Sequence, residues 1–146
     1  MIIKTFTELN TKEVYEILKA RSAVFMIGQN IHYLDMDDVD YDCIHIFDTD
    51  DKGKVIAYLR MYRSDIDDEH LNFGRVLTTD RGKGRGRMLI DTAAEYAKAK
   101  GYKYISCDAQ IQSEGFYLKC GFIETSEEFI EAGIPHIKME KNVWEQ

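Results

Sequence analysis

The sequence predicts a single α/β domain in which helices flank a mixed, mostly antiparallel sheet. Three observations support this fold class. The 146 residues are 45% hydrophobic, which is enough for one domain with its own core. Strand-type and helix-type patterns alternate along the chain. No repeat, low-complexity linker or change of composition divides the chain, so we expect residues 1–146 to form one domain.

The first half of the chain predicts one helix among four strands. Residues 2–6 are apolar, and Asn10 with Glu13 forms a capping box ahead of a helix over about residues 11–25. The acidic, aperiodic stretch that follows, residues 26–42, predicts a long loop with a turn of helix at most. Three β-branched and aromatic runs then predict strands joined by acidic turns, at residues 43–47, 55–62 and 71–78.

The second half of the chain predicts two helices and three strands. Helical spacing of apolar residues from Met88 to Ala97 ends at Gly101, a residue suited to a helix C-terminus. Beyond it we expect a strand at 104–109, a short helix at 113–119 and two closing strands at 122–125 and 134–139.

Composition excludes several classes of function. A formal charge of -7 and a pI near 5.1 argue against a broad nucleic-acid surface or an anionic-membrane surface. No apolar run approaches the ~20 residues that span a bilayer, and the N-terminus lacks the features of a signal peptide. Three unpaired cysteines, Cys43, Cys107 and Cys120, favour a reducing cytoplasmic location. No zinc spacing or complete calcium loop is present, so we expect no metal.

One basic island interrupts this acidic chain. Arg81, Lys83, Arg85 and Arg87 alternate with Gly82, Gly84 and Gly86, between a predicted strand and a predicted helix. Unpaired amides at a helix N-terminus attract anions, and glycines let the backbone approach them closely. The spacing matches neither of the common nucleotide-binding glycine motifs. The residues alone leave open a nucleic acid, a nucleotide, a phosphorylated cofactor or solvent.

Two motifs in this region resemble those of the GNAT superfamily of N-acetyltransferases. Arg81-x-x-Gly84-x-Gly86 resembles its [QR]xxGx[GA] signature, and "GFYLKCGF" at residues 115–122 resembles its YxKxGF mark. Gln110 lies seven residues before Tyr117, where many members carry asparagine. The resemblance implies a GNAT fold over nearly the whole chain.

The chain is also similar to the ElaA-like branch of that superfamily. Its front pattern is matched by Arg21, Val24, Phe25, Gln29, Tyr33, Asp35, Asp37 and Asp40, and its ending by "EAGIPHIKM" at 131–139. The glutamate expected before Gln29 is Gly28. Autoinducer synthases share the front pattern, although the ending favours the ElaA-like branch.

The resemblance implies an acetyl-CoA site and a role for several residues. The amides of residues 82–86 would hold the diphosphate, while the backbone of Gly74, Arg75 and Val76 would hold the pantetheine arm and polarise the thioester carbonyl. Tyr117 would protonate the leaving thiolate. The remaining cofactor-binding candidates are the side chains of Arg81, Lys83, Arg85, Arg87, Gln110 and Lys119.

The acceptor implied is a small-molecule or peptide primary amine. Freeing a lysine-like amine of its proton at pH 7 costs roughly 4.6 kcal/mol, so a base or a water chain to carboxylates must assist. His70 and His136 are the candidate bases. Candidate acceptor contacts are Arg21, Gln29, Tyr33, Asp35, Asp37 and Glu131. A non-catalytic acyl-CoA-binding module and acyl transfer to a signalling lactone stay open as alternatives, as does assembly into a homodimer.

Overall fold

The computed structural model describes residues 1–145, and the chain folds around one large sheet. The strands are β1 (Ile2–Thr5), β2 (Ile44–Thr49), β3 (Val55–Arg63), β4 (His70–Thr78), β5 (Tyr104–Gln110), β6 (Ile123–Glu124), β7 (Phe129–Glu131) and β8 (Ile134–Asn142). The α-helices are α1 (Thr11–Arg21), α2 (Arg85–Ala99) and α3 (Glu114–Lys119). Short 3-10 turns occur at Phe6–Glu8, Val39–Asp42 and Ile111–Ser113.

The strands are ordered β1-β2-β3-β4-β5-β8-β6 across the sheet, with β7 also paired to β8. Every pairing is antiparallel except that between β4 and β5. The parallel pair follows from the connection, because the chain leaves β4 and returns through α2 before it enters β5. The predicted fold class, a mixed and mostly antiparallel sheet flanked by helices, is confirmed.

The two faces of the sheet carry different hydrophobic clusters. On one face α2 contributes Leu89, Ile90, Ala93 and Ala97 to a core shared with Leu59 and other strand residues. On the other face Ile17 of α1 packs with Phe47, Val55, Tyr58 and Leu77. Successive residues of a strand point to opposite faces, so Tyr58 and Leu59 belong to different clusters.

The structure differs from the sequence prediction around the end of α1. Regular α-helix ends at Arg21, and the chain continues as a π-helical segment from Ser22 to Gly28. A helical pattern of apolar residues does not distinguish an α-helix from a short π-helix, because the two differ in which backbone groups form hydrogen bonds. The short strand β7 was also not predicted, since residues 129–131 carry no alternation long enough to indicate one. No helix within residues 1–145 has the length and apolarity needed to cross a membrane.

Candidate active site

A cleft opens where β4 and β5 separate. The two strands pair only at their first three residues, from His70 opposite Tyr104 to Asn72 opposite Ser106. At the fork, the Ser106 hydroxyl donates to Asn72 Oδ1 over 2.6 Å. Beyond it the strands enclose a cavity of about 570 Å³ lined by residues of β3, β4, β5, α3, the β7–β8 hairpin and the segment after α1.

Strand β4 carries an extra residue where it borders this cleft. Tyr58 pairs with Leu77, yet Arg60 pairs with Gly74, so two residues of β4 face one of β3. Arg75 within this bulge has a φ of +54°, a left-handed conformation that is rare for a long side chain. The backbone of Gly74 to Val76, predicted to hold the pantetheine arm, lines the cleft.

The glycine loop forms the N-terminus of α2. Gly82 and Gly84 have φ values of +80° and +72°, so both occupy conformations that favour glycine. Gly84 is the residue at which α2 starts, and the first amides of a helix have no partner within the helix. A side chain at Gly86 would come within 3.2 Å of the Phe116 ring, so this glycine allows the start of α2 to approach α3 closely.

The four cations of this loop divide into two kinds. Arg85 is paired with Asp80, and Arg87 lies 3.1 Å from Asp91. Arg81 and Lys83 are exposed, and neither has a carboxylate partner within residues 1–145. Lys119, the other predicted cation, is exposed at the end of α3. The loop therefore offers two free side-chain charges beside the helix amides.

Tyr117 projects from α3 into the cleft. It is 6% exposed and lies among the rings of Phe73, Phe116 and Phe122. Its hydroxyl has no hydrogen-bond partner among the described residues. Burial, assisted by the nearby thiols of Cys107 and Cys120, raises the pKa of Tyr117 above its ordinary value. The phenol is thus held protonated at neutral pH.

His136 lines the same cleft from β8. Its Nδ1 lies 2.6 Å from the carbonyl oxygen of Ile134, and because a carbonyl only accepts, Nδ1 must carry the proton. In the neutral ring this leaves the lone pair on Nε2, which lies 3.7 Å from Oε2 of Glu131. The Phe129 ring stacks on the imidazole with centroids 6.0 Å apart. Ring orientation and tautomer are therefore both fixed.

His70, the other candidate base, lies outside this cleft. It begins β4 at the opposite end of the strand and lines a separate depression of about 170 Å³. Its Nδ1 is 2.9 Å from Asp67, its Nε2 is 3.5 Å from Glu140, and its ring stacks on Tyr104. The structure does not bring His70 together with Tyr117, because the fork of β4 and β5 starts beyond it.

Three arginines and three aspartates form a compact cluster at the cleft, which we call the arginine–aspartate cluster, and four of the six line the cavity. Arg21 is fully buried and donates to Asp35 over 2.9 Å and to Asp40 over 2.6 Å. The cluster also contains Arg60, which contacts Asp37 and Asp40, and Arg75, which contacts Asp35 and Asp37. Its formal charges cancel.

This cluster changes the roles predicted for its members. Arg21, Asp35 and Asp37 were expected to contact the acceptor. Arg21 is 0% exposed and Asp35 only 6%, and both hold each other in place. The hydrogen bond from Arg60 holds the pKa of Asp37 at about 2. Both carboxylates line the cleft but are paired with arginines, and Asp37 keeps 34% of its side chain exposed.

Gln29 and Gln110 bridge the cleft. Each side-chain amide donates to the other, over 3.2 Å and 3.0 Å, between the end of the π-helical segment and the end of β5. Gln112 also donates to Gln110 over 2.7 Å. Of the other predicted acceptor contacts, Tyr33 and Glu131 lie at the cleft, and both side chains are exposed.

Several residues that line the cleft had not been predicted, and three of them carry charged or phenolic side chains. Arg60, Tyr62 and Asp108 line the cavity, and Arg60 Nε is buried without a hydrogen-bond partner among the described residues. The side chains of Tyr58, Arg60 and Tyr62 lie on the same face of β3, because every second residue of a strand points the same way. That polar alternation in an otherwise buried strand was the signal in the sequence that would have revealed them.

The forked sheet, the cleft and the glycine loop together define an acyltransferase. The model of the Acetyltransferase (GNAT) domain family matches residues 36–143, and the chain belongs to this family of enzymes. It is similar to Protein ElaA of Escherichia coli, with 34% identity over 142 residues that cover 94% of this chain and 92% of ElaA. The crystal structure of ElaA superposes with a TM-score of 0.87 over 97% of each chain, at 32% identity.

Two further structures are similar. An acyl-CoA N-acyltransferase from Pseudomonas aeruginosa superposes with a TM-score of 0.86 at 27% identity, over 96% of this chain and 97% of its own. The AHL synthase LasI superposes with a TM-score of 0.79 at 13% identity, over 97% of this chain and 88% of its own. At that identity the likeness to LasI concerns the fold alone.

Proposed function

We propose that this GNAT-family enzyme transfers the acetyl group of acetyl-CoA to a primary amine by direct attack, with both substrates bound at once. The observation that carries the proposal is the fork of β4 and β5. It brings a buried, protonated phenol, a bulged backbone and a histidine with a free Nε2 to one cleft. The glycine loop begins just beyond the end of β4.

The residues fit a coenzyme A thioester. The α2 amides and the unpaired Arg81 and Lys83 suit the phosphates, since the helix N-terminus and the two cations both attract anions. Gly86 keeps the approach between α2 and α3 close. After Asn72 the edge of β4 that faces β5 has no partner strand, and this open edge suits an extended amide-bearing arm. When bound, acetyl-CoA supplies an activated acetyl group.

Three groups of this chain do the chemistry. Backbone amides at the bulge donate to the carbonyl oxygen as negative charge develops there, which in acyl transfer is worth about 3–4 kcal/mol. The Tyr117 hydroxyl gives its proton to the departing sulfur and recovers a proton, the second one that the nitrogen loses, as the tetrahedral intermediate collapses. Nε2 of His136 takes the proton from the attacking amine, directly or through one water, while Nδ1 stays bonded to Ile134.

The acceptor ammonium is attracted by Glu131. This carboxylate is 53% exposed on its side chain and faces His136, whereas the carboxylates of the arginine–aspartate cluster are occupied. A cation held at Glu131 lies beside the atom that removes its proton. Tyr33 at the mouth of the cleft offers a ring on which the rest of the acceptor can lie.

The test is acetylation of a mixed library of amines and peptides with acetyl-CoA, read by mass and by release of free thiol. We expect acceptor-dependent thiol release. Gly28, which leaves the segment beside Gln29 without a carboxylate, favours one other function, an acyl-CoA-binding module without turnover. Binding of coenzyme A by calorimetry with no thiol release across the library would identify that module, and no binding at all would reject both.

A further inference from the structure

The bulge in β4 reverses the side-chain alternation of the strand. Phe73 belongs to the core on the α2 face, whereas Leu77, four residues later, belongs to the cluster on the α1 face. In a regular strand these two residues would share a face. The extra residue at Arg75 therefore rotates the end of β4, and it does so beside the cleft.

The conformation of Arg75 needs support from outside the strand. A φ of +54° is costly for a residue with a long side chain, and such strain persists only where the surroundings hold it. The residue with this positive φ is an arginine and not a glycine, so the conformation carries a steric cost. Strand β3 pairs with β4 on both sides of the bulge, and the contacts of the Arg75 side chain add support from outside the sheet.

That support is a two-point contact with Asp35. Arg75 Nε donates to Asp35 Oδ1 over 2.8 Å, and Arg75 Nη2 donates to the backbone oxygen of Asp35 over 3.0 Å. The other carboxylate oxygen of Asp35 accepts from Nε of the fully buried Arg21. A guanidinium that bonds through two nitrogens is fixed in direction as well as position. Arg75 is thus tied through Asp35 to the end of α1.

We propose that Arg75 is a positioning residue for acyl transfer. Its contact with Asp35 holds the bulge in the conformation that presents the backbone of Gly74 to Val76 to the thioester carbonyl. The inference rests on the proposed function, since it assigns a cause to the geometry of the carbonyl-binding amides. Beyond Asn72, β5 no longer pairs with β4, so the neighbouring strand on that side does not hold the bulge.

Four variants separate positioning from a simple contribution to stability. Arg75→Gln keeps a polar side chain, although a shorter one, and loses the charge-assisted contact, and Arg75→Lys keeps one charge with a single point of contact. Arg75→Gly accepts the positive φ without strain yet lacks the anchor. Lys19→Gln removes an exposed charge on α1 outside the cluster and is the matched control.

We expect Arg75→Gln and Arg75→Gly to lower kcat by about tenfold to a hundredfold, with the Kd for acetyl-CoA within about threefold of wild type. Arg75→Lys should recover part of the loss, and Lys19→Gln should match wild type. Amide resonances of residues 74–76 should respond to acetyl-CoA in wild type and respond less in Arg75→Gln and Arg75→Gly. If Arg75→Gln does not fold, Arg75→Lys and Arg75→Gly decide.

The outcomes that overturn the inference differ from those that overturn the function. Unchanged kcat in both Arg75→Gln and Arg75→Gly, unchanged amide responses, or a loss confined to the Kd for acetyl-CoA would remove the positioning role while acetyl transfer stands. The amide responses require binding only, so they also decide the matter in a protein without turnover. Failure of the wild-type protein to bind acetyl-CoA would overturn the proposed function and this inference with it.

Discussion

At the scale of single residues, the cleft holds the proposed acid and the proposed base, which are prepared in different ways. Tyr117 is surrounded by aromatic rings, and burial keeps its proton on the phenol. His136 is held by one short hydrogen bond that decides which nitrogen can accept a proton. Burial therefore keeps the Tyr117 phenol protonated, and the hydrogen bond to Ile134 leaves Nε2 of His136 able to accept a proton.

Replacing Tyr117 with phenylalanine tests the proposed acid. The ring and its contacts remain, so we expect an intact fold, a Kd for coenzyme A close to that of wild type and a kcat lower by well over tenfold. Steady-state thiol release and calorimetry measure the two quantities. Tyr96→Phe on α2, away from the cleft, is the control. An unchanged kcat would show that the phenol takes no part in the reaction.

Two histidine variants test the proposed base. We expect His136→Gln to lower kcat/KM by about a hundredfold, because glutamine cannot take up the proton of the amine. His70→Gln should stay within about twofold of wild type, since His70 lines a different depression. The measurement is kcat/KM for one accepted amine at saturating acetyl-CoA. Equal losses in the two variants would contradict the assignment of the base to His136.

At the scale of elements, the loop before α2 combines fixed backbone with free side chains. Gly82 and Gly84 set the turn, and the first amides of α2 follow from it. Arg85 and Arg87 are engaged by Asp80 and Asp91. Arg81 and Lys83 are exposed and have no carboxylate partner among the described residues, so both charges are available to bind an anion.

Alanine substitution at Arg81 and Lys83 tests what these charges recognise. If one of these side chains binds the 3′-phosphate, its removal should raise the Kd for coenzyme A by about tenfold and leave the Kd for dephospho-CoA nearly unchanged. Calorimetric Kd values for both ligands provide the comparison. Lys52→Ala, an exposed cation in the β2–β3 turn, should change neither value. Equal losses for coenzyme A and dephospho-CoA would reject the pairing with that phosphate.

The strands and the loop were predictable because their signals are local. Runs of β-branched and aromatic residues marked β3 and β4, and glycines between a strand and a helix marked a candidate anion site. The partners of Asp35 and Asp37 were not predictable, since Arg21, Arg60 and Arg75 lie on three separate elements and only the folded chain brings them together. A bulge likewise leaves little trace in a single strand, because it exists only relative to its neighbour.

The positions of the two histidines also could not be predicted from local sequence. His70 and His136 are equally suitable as bases by chemistry, and each stands in or beside a strand. What separates them is which end of the β4–β5 fork they occupy, and that depends on the pairing of β4 with β5 and of β5 with β8. The resemblance gave both histidines a context, since His70 lies near where some relatives carry a glutamate base and His136 lies in the ElaA-like ending, so it did not separate them.

At the scale of the whole molecule, the arginine–aspartate cluster joins α1, the segment after it, β3 and β4, so folding and the cleft depend on the same charges. Burial alone would raise the pKa of Asp40, but hydrogen bonds and charge from Arg21 and Arg60 lower it below its ordinary value. The hydrogen bond from Arg60 likewise lowers the pKa of Asp37 to about 2. Both carboxylates are more acidic in the folded state.

This difference predicts how stability depends on pH. A carboxyl whose pKa is lowered on folding stabilises the folded state above its unfolded pKa, which is 3.8 for Asp37, and loses that contribution as the pH falls towards about 2. We therefore expect the free energy of unfolding to decrease on acidification between about pH 4 and pH 2. Urea unfolding at a series of pH values, followed by circular dichroism, measures the slope.

Substitutions of two neighbouring aspartates distinguish the contribution of this cluster from acid unfolding caused by other carboxyls. Asp37→Asn should be less stable at neutral pH and should show a shallower loss between pH 4 and pH 2, because one carboxyl that binds a proton on unfolding is missing. Asp38→Asn is the control, since Asp38 has no arginine partner among the described residues and asparagine tolerates its φ of +67°. It should keep the wild-type slope. A slope shared by wild type and Asp37→Asn would mean that carboxyls elsewhere in the chain govern acid unfolding.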